Sequence, residues 1–451
     1  MSIDNYSKFE YNDIKEGCKI RLLSEKTVFL KIMLAGVKDE HPSIDDSEYF
    51  EDMPSSLKGT TVKFATWIDH TQTSTAQCIS GFEKDTGMDL QLVYVSQSDY
   101  IIQLNALIAS GQAPDVVVEN GDFPSSISVL QPLSAETNGL DPLDAFWNQN
   151  ISKMYQVGDN YYLVNGRNSS WYMGGGIVYY NKTLLDKVGI KTPADYVRDN
   201  NWNVDTMWTL MHRINDTCRF GRPGTSVDFE TWLNAYGGGQ IIWDTAANRF
   251  KNGINSDASV NAINYLIKGK DQGLLKIIES HDDDLVSGEI AMEICGSYGL
   301  RKSPGWFWAM DSNDLAFEVL PKISANSSEY PYVASGRAYG ICKGAKNPKG
   351  AAYFLRYFLN DANYDMDQIF KNEEAKELYY RLRENADYSK ISFTAGAKKL
   401  ISSDYNNLSL IDDVIYSDEE NINVNIIKTS SKINEVVAKA NELISGVMEE
   451  Q

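Results

Sequence analysis

The sequence predicts an α/β protein whose sheets are mostly parallel, with helices that connect successive strands. Residues 60–65, 90–95 and 115–118 are short runs rich in aliphatic and β-branched side chains, as in strands buried on both faces. The stretches between them have helical spacing and stop at Gly87 and Gly111. This β-α-β-α-β order is typical of a parallel sheet with right-handed crossovers.

Residues 98–118 (SDYIIQLNALIASGQAPDVVV) show the pattern most clearly. Ser98 is expected to cap a helix whose apolar stripe starts at Tyr100 and recurs at i+4, i+7 and i+8. Gly111 suits the left-handed residue that ends a helix, and Pro114 prevents the helix from resuming. Ligands of open α/β sheets bind outside the carboxyl ends of the strands, so the polar loop after this strand is a candidate site.

The rest of the chain continues in the same alternating manner. A crossing between domains is expected at the three glycines 174–176, because glycine permits unusual dihedral angles and close backbone approach. Residues 19–34 predict a small N-terminal hairpin, and the acidic segment 38–58 predicts a linker. Further elements are a strand after the glycines, helices at 257–267, 351–359 and 432–447, and strands at 317–321 and 339–342.

Length and charge limit the classes of function. A chain of 451 residues fits two domains, and its 42 basic against 62 acidic side chains give a net charge of −20. Nucleic acids and anionic membrane surfaces both require a basic footprint, so neither is an expected partner. No apolar run approaches the ~20 residues that a membrane span needs.

Cysteine and histidine give no motif for a disulfide framework or a metal centre. The five cysteines include no Cys-x-x-Cys pair, which leaves room for one bridge and at least one free thiol. The four histidines have no H-E-x-x-H spacing. Residues 281–284 (HDDD) are expected to form an exposed acidic loop, because the other ligands of a calcium loop are missing. We therefore expect no metal and no cofactor.

Segments spread over most of the chain resemble one family, the extracellular solute-binding proteins of ABC importers, in the carbohydrate-binding group that includes maltose-binding protein. They occur in the family's order, and the first 58 residues lie outside the match. The segments are the strand end at Trp67, FEKDTG (82–87), LIASGQAPDVV (107–117), GIVYYNKTLLDKVGIKTP (176–193), WLNAYGGG (232–239), LVSGEIAMEICGSYGL (285–300), FEVLPKI (317–323) and YGICKGAKNPKGAAYFLRYFL (339–359).

The resemblance implies a two-lobe fold of the periplasmic-binding-protein type II, with ligand held between lobes that close about a hinge. Lobe 1 is expected to comprise residues 59–174 and 294–360, and lobe 2 residues 175–293 and 361–451. Residues 1–58 would form the N-terminal extension and linker. The implied function is capture of a sugar, of the oligosaccharide class, and its delivery to the permease subunits of an ABC importer by a non-enzymatic monomer.

The resemblance also implies a place on the extracellular face of a bacterial cell, as a membrane-anchored lipoprotein. Residues 28–36 end like a lipoprotein cleavage box, but Val37 occupies the position of the lipidated cysteine and Lys31 interrupts the apolar core. We therefore expect the export signal to belong to a precursor and to lie outside this sequence.

Candidate ligand-binding residues follow from the chemistry of sugars. Aromatic rings cover the apolar C–H faces, while carboxylates, amides and arginine bind the hydroxyl groups. Aromatic candidates in loops or beside glycines are Trp67, Trp171, Trp232, Tyr298, Trp306 and Trp308. Polar candidates are Asp69, Gln97, Glu119, Asp122 and Arg337. Each has a competing interpretation as a packing or surface residue, and one of Trp306 and Trp308 is expected to face the core.

Two other functions remain open. The same fold could bind a peptide, a polyamine or an organic acid. A glycoside-cleaving enzyme would need two carboxylates on either side of the bond, which Asp69, Glu119 and Asp122 could supply. The sequence contains no G-x-S-x-G motif for a serine nucleophile.

Overall fold

A computed structural model describes most of the chain from residue 46 onward. The chain forms two units, Met1–Ser43 and Ile44–Gln451, and every described residue belongs to the second. The predicted N-terminal hairpin lies outside the described residues. These are residues 46–71, 75–119, 121–171, 174–244, 246–279, 281–302, 305–334, 336–388, 391, 393 and 422–449.

Strands and helices alternate along the described residues. The strands are β1 (Thr61–Thr66), β2 (Asp89–Tyr94), β3 (Val116–Glu119), β4 (Gln156–Val157), β5 (Asn160–Tyr161), β6 (Gly176–Asn181), β7 (Thr225–Asp228), β8 (Ile241–Asp244), β9 (Arg249–Asn252), β10 (Lys276–Ile278), β11 (Met292–Gly296), β12 (Leu315–Val319) and β13 (Ala338–Ile341). The helices are α1 (Ser47–Glu51), α2 (Ala76–Thr86), α3 (Tyr100–Ala109), α4 (Gln149–Met154), α5 (Lys182–Lys187), α6 (Pro193–Arg198), α7 (Val204–Cys218), α8 (Phe229–Tyr236), α9 (Asp257–Asp271), α10 (Pro348–Phe358), α11 (Met366–Ile369), α12 (Glu373–Glu384) and α13 (Ile422–Glu449). In this part of the chain, no helix is both long enough and apolar enough to cross a membrane.

The first sheet has the strand order β13-β3-β1-β2. Strand β1 pairs in parallel with β2 and with β3, as the β-α-β-α-β pattern predicts. Strand β13 is antiparallel to β3, with Ala338 opposite Glu119. The predicted α/β class is therefore confirmed, and the sheet also gains an antiparallel strand that the local sequence pattern does not reveal.

The second sheet has the strand order β10-β7-β11-β6-β12. Strands β10, β7 and β11 are parallel, whereas β6 runs antiparallel to its neighbours β11 and β12. Strand β12 belongs to this sheet, although the predicted boundaries put residues 294–360 in lobe 1. The pairing of β12 with β6 explains the difference, since it keeps the chain in the second sheet past residue 296. The lobe division as a whole remains a prediction.

Helix α3 and its flanking residues show how the first sheet is held together. The buried Tyr100 hydroxyl donates to the carbonyl of Ala65 at 3.0 Å and accepts from the amide of Val118 at 3.1 Å, so it ties the helix to β1 and β3. Gly111 has φ +70°, as its predicted role requires. Ser98 does not cap α3, because the helix starts at Tyr100 and the Ser98 hydroxyl bonds the Asp99 carboxylate.

Candidate functional site

The carboxyl-end edge of the first sheet brings together two of the predicted site residues. Trp67 follows the end of β1, and Arg337 precedes β13, whose first residue pairs with the last residue of β3. The Arg337 guanidinium carbon lies 5.4 Å from the centroid of the Trp67 ring. The same indole packs edge-to-face on Tyr100 at 5.3 Å. This stack places an aromatic surface and a cation at one point of the edge.

Asp69 and Gln97 lie at the ends of β1 and β2 on the same edge. Asp69 accepts hydrogen bonds from the amide and hydroxyl of Thr71 at 3.0 and 2.6 Å, and the Thr71 hydroxyl contributes most to lowering the pKa of the carboxyl group. Gln97 is exposed. Tyr94, the last residue of β2, is 58% exposed and its hydroxyl interacts with Asp69. Sequence reasoning missed Tyr94, although its place at a strand end could have indicated it.

Glu119 and Asp122 are buried instead of facing a ligand. Their side chains lie inside the fold with 2% and 0% exposure. Glu119 Oε1 accepts from the amides of Asp122 and Phe123, the latter at 3.0 Å, and so stabilises the turn after β3. Burial, reinforced by the charge of Asp122, raises the pKa of Glu119 to about 7. Both residues were expected to contact a ligand, but their side chains are enclosed by the protein. The amides of the loop donate to the Glu119 carboxylate instead.

The corresponding edge of the second sheet carries a second aromatic group. Tyr298 lies in a short 3₁₀ turn, Ser297–Leu300, directly after β11. It packs edge-to-face against Trp306 with ring centroids 5.7 Å apart. Trp306 also stacks on the imidazole of His281 at 5.2 Å. Trp308 is 71% exposed, so of the two tryptophans Trp306 is the one that packs on the protein.

The charge of an arginine on the first sheet's edge acts on a tyrosine of the second. Burial raises the pKa of Tyr298, while the positive charges of Arg301 and Arg337 act in the opposite direction. Arg337 belongs to the first sheet's edge and Tyr298 to the second's. The buried His70, which packs against Trp171, is affected by the same two arginines: burial, followed by these charges, lowers its pKa to about 3.

Trp171 is a packing residue at the start of the crossing between the sheets. Its ring is only 4% exposed and stacks on Phe358 at 5.2 Å. The indole nitrogen donates to the Tyr364 hydroxyl at 3.0 Å. Arg301 lies 4.7 Å above the ring and donates to the carbonyl of Ser170 at 3.1 Å. The expected ligand contact at Trp171 is replaced by contacts with the protein, because the ring inserts between helix α10 and the buried guanidinium.

Trp232 also lies in the core. It belongs to α8, which begins directly after β7 because Asp228 caps it by accepting from the amide of Thr231 at 2.8 Å. The indole is 1% exposed and stacks on Tyr265 at 4.8 Å. Trp232 was expected in a loop, but it lies in a helix and its side chain faces the core.

The comparisons with solved structures agree on the fold. The GacH receptor of Streptomyces glaucescens, solved unliganded and with acarbose, matches with a TM-score of 0.53 and 18% identity over 87% of this chain and 99% of that one. The sugar-binding protein MalE of Xanthomonas citri matches with a TM-score of 0.59 and 14% identity over 86% and 99% of the two chains. The galacto-N-biose-/lacto-N-biose I-binding protein of Bifidobacterium longum, solved with lacto-N-biose, matches with a TM-score of 0.61 and 13% identity over 85% and 98%.

At the sequence level, no curated protein matches this chain significantly. A family model does match: the bacterial extracellular solute-binding protein family aligns with residues 67–365, which is more than half of the chain. The match begins at the tryptophan that follows β1, and it includes every strand of the two sheets except β1. The fold, the paired strand-end edges and this match agree, and the chain belongs to the family of bacterial extracellular solute-binding proteins.

Proposed function

We propose that this protein captures a carbohydrate, of the oligosaccharide class, between the two strand-end edges and delivers it to an ABC importer. The observation that carries the proposal is the pair of aromatic groups at the two edges, Trp67 under Arg337 and Tyr298 against Trp306, with the charge of Arg337 acting on Tyr298. Ligand binding would close the lobes about the crossing near residues 174–176. The protein would act as a monomer on the extracellular face, anchored as a lipoprotein.

The chemistry of this group suits a sugar. The half-buried rings of Trp67, Tyr298 and Trp306 can cover C–H faces, and the Arg337 guanidinium can donate several hydrogen bonds to hydroxyl groups. Asp69 is a partly exposed acceptor close to the same edge. We propose these five residues as the core of the site.

Other candidates fall outside this core. The exposed Gln97, Trp308 and Tyr94 could contact the outer units of a longer ligand. The buried Glu119, Asp122, Trp171 and Trp232 are left out of the proposed site, because their side chains are enclosed by the protein.

The similar structures support a saccharide ligand. One is described as a sugar-binding protein, and another was solved with lacto-N-biose. We further propose that the protein is not an enzyme. Glu119 and Asp122, which could have supplied two catalytic carboxylates, are both enclosed, and Glu119 accepts from the amides of its own turn. An oligosaccharide that binds should therefore be recovered uncut at every pH.

A thermal-shift screen over mono- and oligosaccharides tests the proposal. A sugar that binds only the folded protein should stabilise it by about 2.7 kcal/mol at 100 times its Kd. Trp67→Ala and Trp306→Ala should each weaken that sugar about tenfold or more, equivalent to about 1.4 kcal/mol. The matched control is Trp208→Ala, because this half-buried tryptophan packs on Tyr265 of α9 and is not one of the proposed site residues. No response to any sugar, or unchanged affinity in both variants, would contradict the proposal.

A second candidate is an organic acid or a peptide, because Arg337 can form charge-assisted bonds with a carboxylate. The Arg337→Gln variant separates the two ligand classes. A carboxylate ligand should then lose most of its affinity, and the remaining binding should no longer weaken with added salt. A neutral sugar should lose only part of its affinity, with no salt dependence in either protein.

A further inference from the structure

Strand β11 of the second sheet carries two members of a cluster of metal-ligating side chains that the proposed sugar site does not use. His281, Glu293 and Cys295 place one ligand atom each within 4.8 Å of the other two. Glu293 and Cys295 are two residues apart on β11, so their side chains share one face of the sheet. His281 follows the end of β10 and lies over this face, where its Nδ1 is 2.9 Å from Glu293 Oε1.

The burial of this cluster is unusual for its chemistry. The side chain of Glu293 has no exposed surface, and the His281 side chain is only 11% exposed. Glu293 Oε2 has no hydrogen-bond partner by the usual geometric limits among the described residues, although the Cys295 thiol lies beside the carboxylate. A buried carboxylate oxygen that accepts no hydrogen bond lowers the stability of the folded protein unless something binds it.

We propose that His281, Glu293 and Cys295 form a binding site for a single zinc ion. Imidazole, thiolate and carboxylate together are a ligand set that zinc accepts, whereas calcium and magnesium prefer oxygen ligands alone. Tetrahedral zinc with bonds of about 2.0–2.3 Å holds its ligand atoms roughly 3.3–3.8 Å apart. The three ligand atoms lie within 4.8 Å of one another, so shifts of about 1 Å would reach this spacing, and Glu293 Oε2 would become a ligand or an acceptor for a zinc-bound water.

The charges of the site balance on zinc binding. The ion replaces the thiol proton of Cys295, so that one Zn–S bond forms and one proton leaves to solvent. A thiolate and a carboxylate then neutralise the two positive charges. Asp228 and Asp282 are close enough to add further negative potential at Cys295. The site therefore favours a divalent cation over an anion.

The surroundings also orient the imidazole. His281 Nε2 lies 3.5 Å from the carboxylate of Asp283, which is 94% exposed. Zinc would take the place of the Nδ1 contact with Glu293, and the imidazole would then carry its proton on Nε2, where Asp283 can accept it, as in carboxylate–histidine–zinc arrangements. Trp306 covers the other side of the ring. The partly exposed His281 is the point at which the ion would enter.

Metal analysis of the purified, tag-free chain tests the inference. After incubation with zinc and dialysis, the protein should retain one zinc per chain, with a Kd at or below about 1 μM. Cobalt in place of zinc should give a sulfur-to-metal charge-transfer band in the near ultraviolet. Cys295→Ala should abolish this band and weaken zinc binding by more than about 100-fold, because even the loss of an outer-shell partner costs 10–100-fold.

Two controls keep the test decisive. Cys342→Ala removes another buried cysteine, on the first sheet's side of the molecule, and should leave zinc binding unchanged. Glu293→Gln keeps the shape of the side chain and should weaken zinc as Cys295→Ala does. Retention of no zinc by the unmodified protein, a cobalt spectrum without the sulfur band, or full retention by Cys295→Ala would each overturn the inference. The cobalt spectrum needs no variant, so a misfolded mutant cannot obscure the result.

Discussion

Replacing Glu119 with glutamine should change how the stability of the protein depends on pH. Its carboxyl group is enclosed in the turn after β3, and burial together with the charge of Asp122 raises its pKa from an ordinary 4.5 to about 7. The folded protein therefore holds this proton over a pH range in which the unfolded chain has lost it. The contribution to stability is complete below pH 4.5 and is lost as the pH rises through 7.

The magnitude follows from the two pKa values. Each unit of difference between the folded and unfolded states corresponds to 1.36 kcal/mol. Integrated from pH 5 to pH 8, a shift from 4.5 to about 7 lowers the free energy of unfolding by about 2.5 kcal/mol. Glu119→Gln keeps the oxygen that accepts from the Asp122 and Phe123 amides but cannot ionise. The stability of the variant relative to the unmodified protein should therefore rise by about 2.5 kcal/mol between pH 5 and pH 8.

Urea unfolding at both pH values measures this double difference, which cancels every titrating group that the two proteins share. The matched control is Glu136→Gln, because Glu136 is an exposed glutamate in the same part of the chain. If Glu119→Gln kept the pH dependence of the unmodified protein, the carboxyl group would not be the buried, proton-holding group described above.

Three further substitutions distinguish packing from surface positions. Trp232→Ala should lower the free energy of unfolding by about 3–5 kcal/mol, because it empties the space beside Tyr265; a cost below 1 kcal/mol in urea unfolding would contradict this packing. Arg356→Met should lower the free energy of unfolding by about 3–5 kcal/mol in the same assay, since it leaves Asp46 buried without the guanidinium that bonds it at 2.9 Å. An unchanged urea midpoint would show that this ion pair does not stabilise the fold. Trp308→Ala should alter the unfolding free energy by no more than about 0.5 kcal/mol, and a larger loss would mean that this exposed ring packs on the protein.

The fold class could be predicted from the sequence because its signals are local. The spacing after Tyr100, the glycine at 111 and the valine run each act within a few residues, and the structure confirms the helix and the strand that follow it. The pairing of β12 with β6 and of β13 with β3 depends on contacts between distant parts of the chain. No periodicity within a short window reports such a pairing, so the sheet membership of residues 315–319 was missed.

The candidate site was predictable where a residue follows a strand directly. Trp67, Tyr298 and Arg337 all flank strands, and the structure places them at the strand-end edges. Trp232 was misjudged because the glycines after it suggest a loop, whereas the cap at Asp228 starts a helix before it. The cluster at His281 could not be found in the sequence, since its three residues come from two elements with no fixed spacing.

The late arrival of β13 has a consequence for the assembly of the first sheet during synthesis. Strands β1, β2 and β3 are complete by residue 119, but the partner that covers the outer edge of β3 starts only at Ala338. Until then, the backbone of Val116–Glu119 presents unpaired amides and carbonyls beside three valines, which is the kind of edge that joins other chains. A fragment that stops before residue 338 should therefore aggregate, because the edge of β3 is covered only once β13 has been synthesised.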